Sequence, residues 1–239
     1  MNIRHMVASA LVFAGLGVIA GCSMDATTDD ADDALSPIGE TSQAIAGAPL
    51  IYGQAYTIKN GYINFSGGYL DTRGVGCQQN QLCVSTATTS QRDGGSGTWL
   101  LTSANGKTPG TVVEDGDNVY LLNMHDVNIA TGTNGGYLDV REAGCQGNGL
   151  CVSTAYSPNR DNGSGTWKIQ IQNRAVHPSN QVFESDVVVF RNGFGDFAGG
   201  WLDTRENWCE GNQLCVSTSA TRERDSGSTY WRLLAAGAF

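Results

Sequence analysis

The chain has 239 residues, 40% hydrophobic and 15% charged, with 32 glycines and a formal charge of −9. That length suits one generous domain, and so much glycine favours many short strands joined by turns over a few long helices. The acidic balance argues against a phosphate-backbone partner, which needs a lysine- and arginine-rich surface, so no nucleic acid partner is expected.

Residues 1–21 have the three parts of an export signal. Arg4 and His5 make a polar start, an uncharged apolar run extends from Met6 to Ala20, and Ile19-Ala20-Gly21-Cys22 closes it. The run is too short and glycine-rich for a comfortable membrane span, which favours cleavage as a signal peptide. The closing tetrad resembles the lipobox of bacterial lipoproteins. The resemblance implies that Cys22 is lipidated, begins the mature chain and anchors it to the cell envelope through acyl chains. With Ser23 next, the outer membrane or cell surface is the expected location. Residues 22–46 carry Asp25, Asp29, Asp30, Asp32, Asp33 and Glu40 with almost no large apolar groups. Such a stretch cannot offset its ordering entropy and reads as a flexible, self-repelling tether. Without those six acids and Arg4 the remainder is near −4, about what any soluble domain carries, and uninformative about a ligand.

From residue 47 to 239 one unit occurs three times, at about 47–104, 105–172 and 173–239. The copies begin GGYLDTRGVGC at Gly67, GGYLDVREAGC at Gly135 and GGWLDTRENWC at Gly199. Each continues into a Leu-Cys-Val-Ser-Thr run and a tryptophan segment. Each is preceded by an apolar stretch: Tyr56–Asn60, Val119–Asn123 or Val188–Asn192. Alternation in Trp167-Lys168-Ile169-Gln170-Ile171 marks half-buried strands, and turn residues flank nearly every run. Four strands per unit make twelve. A lone unit cannot close a core, whereas three about an axis can, with Trp99, Trp167 and Trp231 as equivalent large core residues. The expected fold is therefore all-β, a β-trefoil of three four-stranded pseudo-symmetric repeats.

Six cysteines sit two per repeat, and an oxidising compartment favours the disulfides Cys77–Cys83, Cys145–Cys151 and Cys209–Cys215. Each would contribute roughly 2 kcal/mol by chain entropy. Two thiolates per unit without nearby histidines make an incomplete metal-ligand set, so no metal or other cofactor is expected.

In Tyr69-Leu70-Asp71-Thr72-Arg73 the leucine should point inward and Tyr69, Asp71 and Arg73 outward together. The equivalent outward sets are Tyr137, Asp139 and Arg141, and Trp201, Asp203 and Arg205. An aromatic, a carboxylate and a guanidinium suit a sugar; alternatively Asp71 pairs with Arg73 to hold a turn, and likewise in the other copies. Gly136-Tyr137-Leu138-Asp139-Val140-Arg141, followed by a turn, an apolar strand and a tryptophan strand, resembles one unit of a ricin-B-type lectin. That family consists of β-trefoils with shallow sugar pockets. The resemblance implies that Asp71, Asp139 and Asp203 accept hydrogen bonds from sugar hydroxyls. The chain departs from the family at Gly97, Gly165 and Thr229, where a glutamine is usual, and its units are longer. Tyr156 and Trp208 are the nearby candidates for an aromatic on which a sugar would stack.

A second repeated cluster comprises Arg92-Asp93, Arg160-Asp161 and Arg224-Asp225, each followed by glycine and serine. One local carboxylate is too few for calcium, so a hydrogen-bonded turn is expected. Asn80, Asn148 and Asn212, inside the cysteine loops, are read as turn residues too. His125 and His177 lie at non-equivalent places, and no catalytic motif appears, so an enzyme is not expected. The sequence thus points to a membrane-anchored, lectin-like protein recognising glycans through repeated shallow sites, with a gain from multivalency. The alternatives are a protein-binding or inhibitory trefoil acting through the longer connection 124–133, and a structural surface lipoprotein without a sugar ligand.

Overall fold

The computed structural model describes residues 47–75, 80–126, 135–143, 145, 148–158, 160–207, 209 and 212–237, all within the compact unit Gln43–Phe239. Cys22, Cys77 and Trp208 lie outside these residues, as does most of the connection 124–133. Among the described residues no helix is long and apolar enough to cross a membrane.

Twelve strands follow in order: β1 (Ala55–Asn60), β2 (Tyr69–Val75), β3 (Leu82–Ala87), β4 (Thr98–Ser103), β5 (Asn118–Asn123), β6 (Tyr137–Ala143), β7 (Leu150–Ala155), β8 (Trp167–Ile171), β9 (Val188–Asn192), β10 (Trp201–Asn207), β11 (Leu214–Ser219) and β12 (Trp231–Ala235). Six of them close a ring in which β1 pairs with β4, β4 with β5, β5 with β8, β8 with β9, β9 with β12 and β12 with β1, always antiparallel. The others form the hairpins β2–β3, β6–β7 and β10–β11. One residue pair ties each hairpin to the ring: Lys59 to Tyr69, Leu122 to Tyr137 and Arg191 to Trp201. The hairpins meet one another through Cys215 and Ser85, Ser217 and Cys151, and Cys83 and Ser153.

This pairing corrects the expectation of a β-trefoil of three four-stranded repeats. All twelve strands belong to one antiparallel sheet closed into a barrel, and no repeat forms a four-stranded sheet of its own. The reason is register. The first and fourth strands of each unit find long partners across the unit boundary, with five residue pairs each in β1–β12, β4–β5 and β8–β9. Inside a unit the first strand touches the second through a single pair.

The ring strands β5 and β8 bury alternate residues, as a sheet with one wet face requires. Their inward residues join one core with Trp99, Trp167 and Trp231, all fully buried. Each indole satisfies its N–H on the carbonyl 29 residues earlier: Leu70, Leu138 or Leu202, at 2.9, 2.9 and 3.0 Å. Among the described residues, Cys145–Cys151 and Cys209–Cys215 are disulfides with both partners described, and Cys83 is also disulfide-bonded.

A fully buried asparagine ends the first strand of each unit: Asn60, Asn123 and Asn192. Its amide nitrogen donates to Ser228, Ser96 or Ser164 O at 2.7–2.8 Å, fastening one unit to the end of the previous one. Its oxygen faces the first glycine of the Gly-Gly pair. A Cβ on Gly67, Gly135 or Gly199 would stand 2.2–2.3 Å from that oxygen, and the second glycine adopts φ of +84° to +90°. This close approach, then a left-handed residue, accounts for both glycines. Gly135→Ala should destabilise the domain by roughly 2–3 kcal/mol, the cost of overpacking a site that cannot move aside. Denaturant unfolding measures it, and an unchanged midpoint would remove the close approach as an explanation.

Candidate functional site

The hairpin strands do not obey one-sided alternation. Leu70, Asp71 and Thr72 are all buried, as are their counterparts in β6 and β10. Asp71, Asp139 and Asp203 are fully inaccessible, so the expected outward set of aromatic, aspartate and arginine is corrected: the carboxylate is not at the surface. The cause is the segment ahead of the tryptophan strand. It folds back over the hairpin, with Thr72, Val140 and Thr204 N donating to Ser96, Ser164 and Ser228 O. The arginine of that segment then reaches the aspartate.

Arg92 Nε donates to Asp71 Oδ2 and Nη2 to Thr72 O, both at 2.7 Å. Arg160 Nη2 donates to Asp139 Oδ1 at 2.6 Å and to Val140 O at 2.9 Å. Arg224 Nη1 donates to Asp203 Oδ2 at 2.5 Å. Each arginine also pairs with its neighbour Asp93, Asp161 or Asp225. The two repeated polar clusters of the sequence are therefore the halves of one buried ion pair. Asp71 pairs with Arg92 and not with Arg73. The Asp-Gly-Ser segments form turns, Ser96, Ser164 and Ser228 N donating to Asp93, Asp161 and Asp225 O.

Burial pushes the Asp139 and Asp203 carboxyls above the usual carboxylate range. The bonds from Arg160 and Ser164 to Asp139, and from Ser228, Asn148 and Arg224 to Asp203, only partly oppose it.

Outside this pair, at two seams between repeats, lie open clefts. One, of about 520 Å³, is lined by Tyr62, Thr204, Arg205, Leu214, Arg224, Asp225 and Ser226. The other, of about 480 Å³, is lined by Val140, Arg141, Leu150, Arg160, Asp161 and Phe194. The linings correspond position by position. Tyr62 and Phe194 open the turns Tyr62–Phe65 and Phe194–Phe197, whose central residues are left-handed. Their backbone N–H groups donate to Asn60 and Asn192 Oδ1 at 3.1 and 3.0 Å. At the third seam His125 N donates to Asn123 Oδ1 at 3.0 Å, so His125 occupies the place of Tyr62 and Phe194. It stands against Gly94, next to Asp93 and Arg92. Each of the two clefts thus joins a ring from one repeat to two arginines and an aspartate from the preceding one. A planar face, guanidinium donors and carboxylate acceptors can together grip a polyhydroxylated ring.

Of the residues singled out in the sequence, Arg141 and Arg205 line clefts. Tyr69, Tyr137 and Trp201 are half-buried on the barrel side. Lys59 sits over Tyr69 at 5.4 Å, Tyr120 packs edge-on against Tyr137 at 6.0 Å, and Arg191 and Arg222 flank Trp201 at 5.4 and 5.7 Å. Arg73 is half-buried in β2, and Tyr156 is 82% exposed. Tyr62 and Phe194 escaped the sequence reading. Their signal was position, two residues after the strand-ending asparagine in Asn60-Gly61-Tyr62, Asn123-Met124-His125 and Asn192-Gly193-Phe194. Among the described residues no cluster of His, Cys, Asp and Glu is placed to hold a metal.

No family model and no curated protein matches the chain. Solved structures do. An SDF2-like protein from Arabidopsis thaliana superposes with a TM-score of 0.57 at 17% identity, over 78% of this chain and 95% of the other. A Caenorhabditis elegans protein of unknown function gives 0.58 at 15% identity, over 78% and 96%. The receptor-binding domain of botulinum neurotoxin C/D mosaic serotype gives 0.53 at 13%, over 79% and 43%. At these identities the likeness establishes an all-β fold.

Removing Arg160 would leave the Asp139 carboxylate buried without its counter-charge. Arg160→Ala should cost about 3 kcal/mol or more at pH 7. A carboxyl whose folded pKa is raised contributes stability below its unfolded pKa and loses it as pH rises through the folded one. The Arg160→Ala deficit should therefore shrink as pH falls from 7 toward 4, because Asp139 then takes up a proton. Thermal melts across that range test it; a deficit independent of pH would contradict the assignment.

Proposed function

We propose that this chain is an exported, lipid-anchored binding protein whose domain recognises carbohydrate in the clefts at its repeat seams. The observation that carries the reading is the recurrence of one constellation, ring, paired arginines and aspartate, at two seams with matching volumes. The clefts are open and present both guanidinium donors and a carboxylate acceptor, which suits a polyhydroxylated ligand held by many hydrogen bonds. The fold is also similar to that of 43% of a neurotoxin's receptor-binding domain, which agrees with a binding role. Mutating the buried aspartates would not test this, because it breaks the fold. Tyr62→Ala and Phe194→Ala are the informative changes. Each removes a stacking face from a side chain that is not fully buried. On a glycan array the double variant should lose at least tenfold in signal with its melting temperature within a few degrees of the parent. Undiminished binding would place the site elsewhere.

A second reading, capture of a protein partner, draws on Ile63 and Tyr156, which are 57% and 82% exposed. A pull-down that fails after Ile63→Ser but survives Phe194→Ala would favour it.

The anchor rests on the tetrad ending at Cys22 and is supported by the disulfides, which belong to an oxidising compartment. Radiolabelled palmitate should enter the expressed chain and be absent from Cys22→Ser. Equal labelling of both would rule the anchor out.

A further inference from the structure

Two of the buried aspartates, Asp203 and Asp71, are not served by their own repeat alone. Asn148 lies in the loop closed by Cys145–Cys151, where its backbone N–H donates to Cys145 O at 2.9 Å. Its amide nitrogen donates to Asp203 Oδ2 at 3.0 Å and Ser217 Oγ at 2.9 Å, both in the third repeat. The same Asp203 oxygen accepts Arg224 Nη1, and Arg224 lines the Tyr62 cleft. One step round the barrel, Asn212 of the third repeat donates to Ser85 Oγ at 2.7 Å and to Asp71 Oδ2 at 3.4 Å; that oxygen also takes Arg92 Nε. Asn80 of the first repeat completes the cycle by donating to Ser153 Oγ at 2.7 Å.

We infer that Asn148 is a positioning residue for the Tyr62 cleft, acting through Asp203 on Arg224. This rests on the reading of the clefts as binding sites and adds that the Tyr62 cleft is shaped by a repeat that does not line it. Tyr62 comes from the first repeat, Arg205 and Arg224 from the third, and Asn148 from the second, so the site is composite of all three. Asn148 and Arg224 both donate to Asp203 Oδ2, and the Ser228 side chain also bears on the carboxylate. Removing the Asn148 amide takes one of the two donors from Oδ2, so the carboxylate turns more freely and the guanidinium bonded to the same oxygen loses its fixed direction toward the cleft.

The Phe194 cleft is the internal control. Its Asp139 is held by Arg160 and by Ser164 Oγ at 2.7 Å, both within the second repeat. In the ¹⁵N-labelled full chain, Asn148→Ala should shift and broaden the Arg224 Nε–Hε resonance and leave that of Arg160 in place. With galactose as probe, apparent affinity read at the Tyr62 amide should fall roughly fivefold, the lower end of usual coupling between sites, and hold at the Phe194 amide. An unmoved Arg224 resonance would overturn the inference, and so would equal changes at both arginines, which signal general loosening. If Asn148→Ala does not fold, the milder Asn148→Ser is read by the same two resonances. Should galactose perturb neither cleft in the unsubstituted chain, that counts against the binding reading for this sugar, and the guanidinium resonances still decide the positioning.

Discussion

Three carboxylates without access to water dominate this domain. An ion of that kind is tolerated only where a counter-charge and further donors meet it, and the effective penalty otherwise is several kcal/mol. Asp71, Asp139 and Asp203 obtain theirs from Arg92, Arg160 and Arg224, 21 residues downstream in each case. To deliver those arginines, the segment before each tryptophan strand must fold back over its hairpin, and so it does. The same movement leaves the arginine's outer edge, and its neighbouring aspartate, at the seam between repeats. The clefts are a by-product of neutralising the buried charge.

The strands were legible in the sequence because the ring strands have one wet face, so Lys168 and Gln170 alternate with Trp167, Ile169 and Ile171. The equivalence of the three tryptophans was legible for the same reason: a large apolar residue at the same offset in each unit has one economical place. Asp71 was misread because the period-two argument assumes a single buried face. In β2, β6 and β10 one face meets the core and the other meets the folded-back arginine segment, so a carboxylate between Leu70 and Thr72 is inside on either count. The closed barrel was misread as a trefoil of three four-stranded repeats for a related reason. A sequence repeat marks where a pattern recurs and says nothing about which side of its boundary a strand will pair.

The cysteine loops acquire a role that chain entropy alone does not supply. Each closes over only six residues in sequence. Asn148 and Asn212, shaped by turns onto Cys145 and Cys209 O, project from those loops into the next repeat. Backbone bonds run beside them, Gln81, Gly149 and Gln213 N donating to Thr154, Thr218 and Thr86 O at 2.8–2.9 Å. The contacts circle the barrel in one sense, first repeat to second, second to third, third to first. Such a cycle has no terminal unit, so no repeat can loosen without breaking hydrogen bonds into a neighbour.

A chain with three internal copies also carries its own comparison. What recurs in all three, the aspartate, its arginine, the strand-ending asparagine, the glycine pair and the tryptophan, is buried or spoken for. What differs faces the seams: Tyr62, His125 and Phe194 at the wall, and Thr204 against Val140 at the base. Ile63 and Gly195 diverge in the same way, one residue further on. Ile63 holds a left-handed φ of 42° with more than half its side chain exposed, a conformation its branched Cβ resists and a glycine accepts freely. Such strain persists only where the surroundings impose it, and here it lies beside the ring that walls a cleft. Repetition within this fold therefore marks the frame at Asp71, Asp139 and Asp203, but it also reaches the clefts, because the recurrent Arg141 and Arg205 line them. What distinguishes one seam from the next is the unmatched residue two places after each buried asparagine: Tyr62, His125 or Phe194.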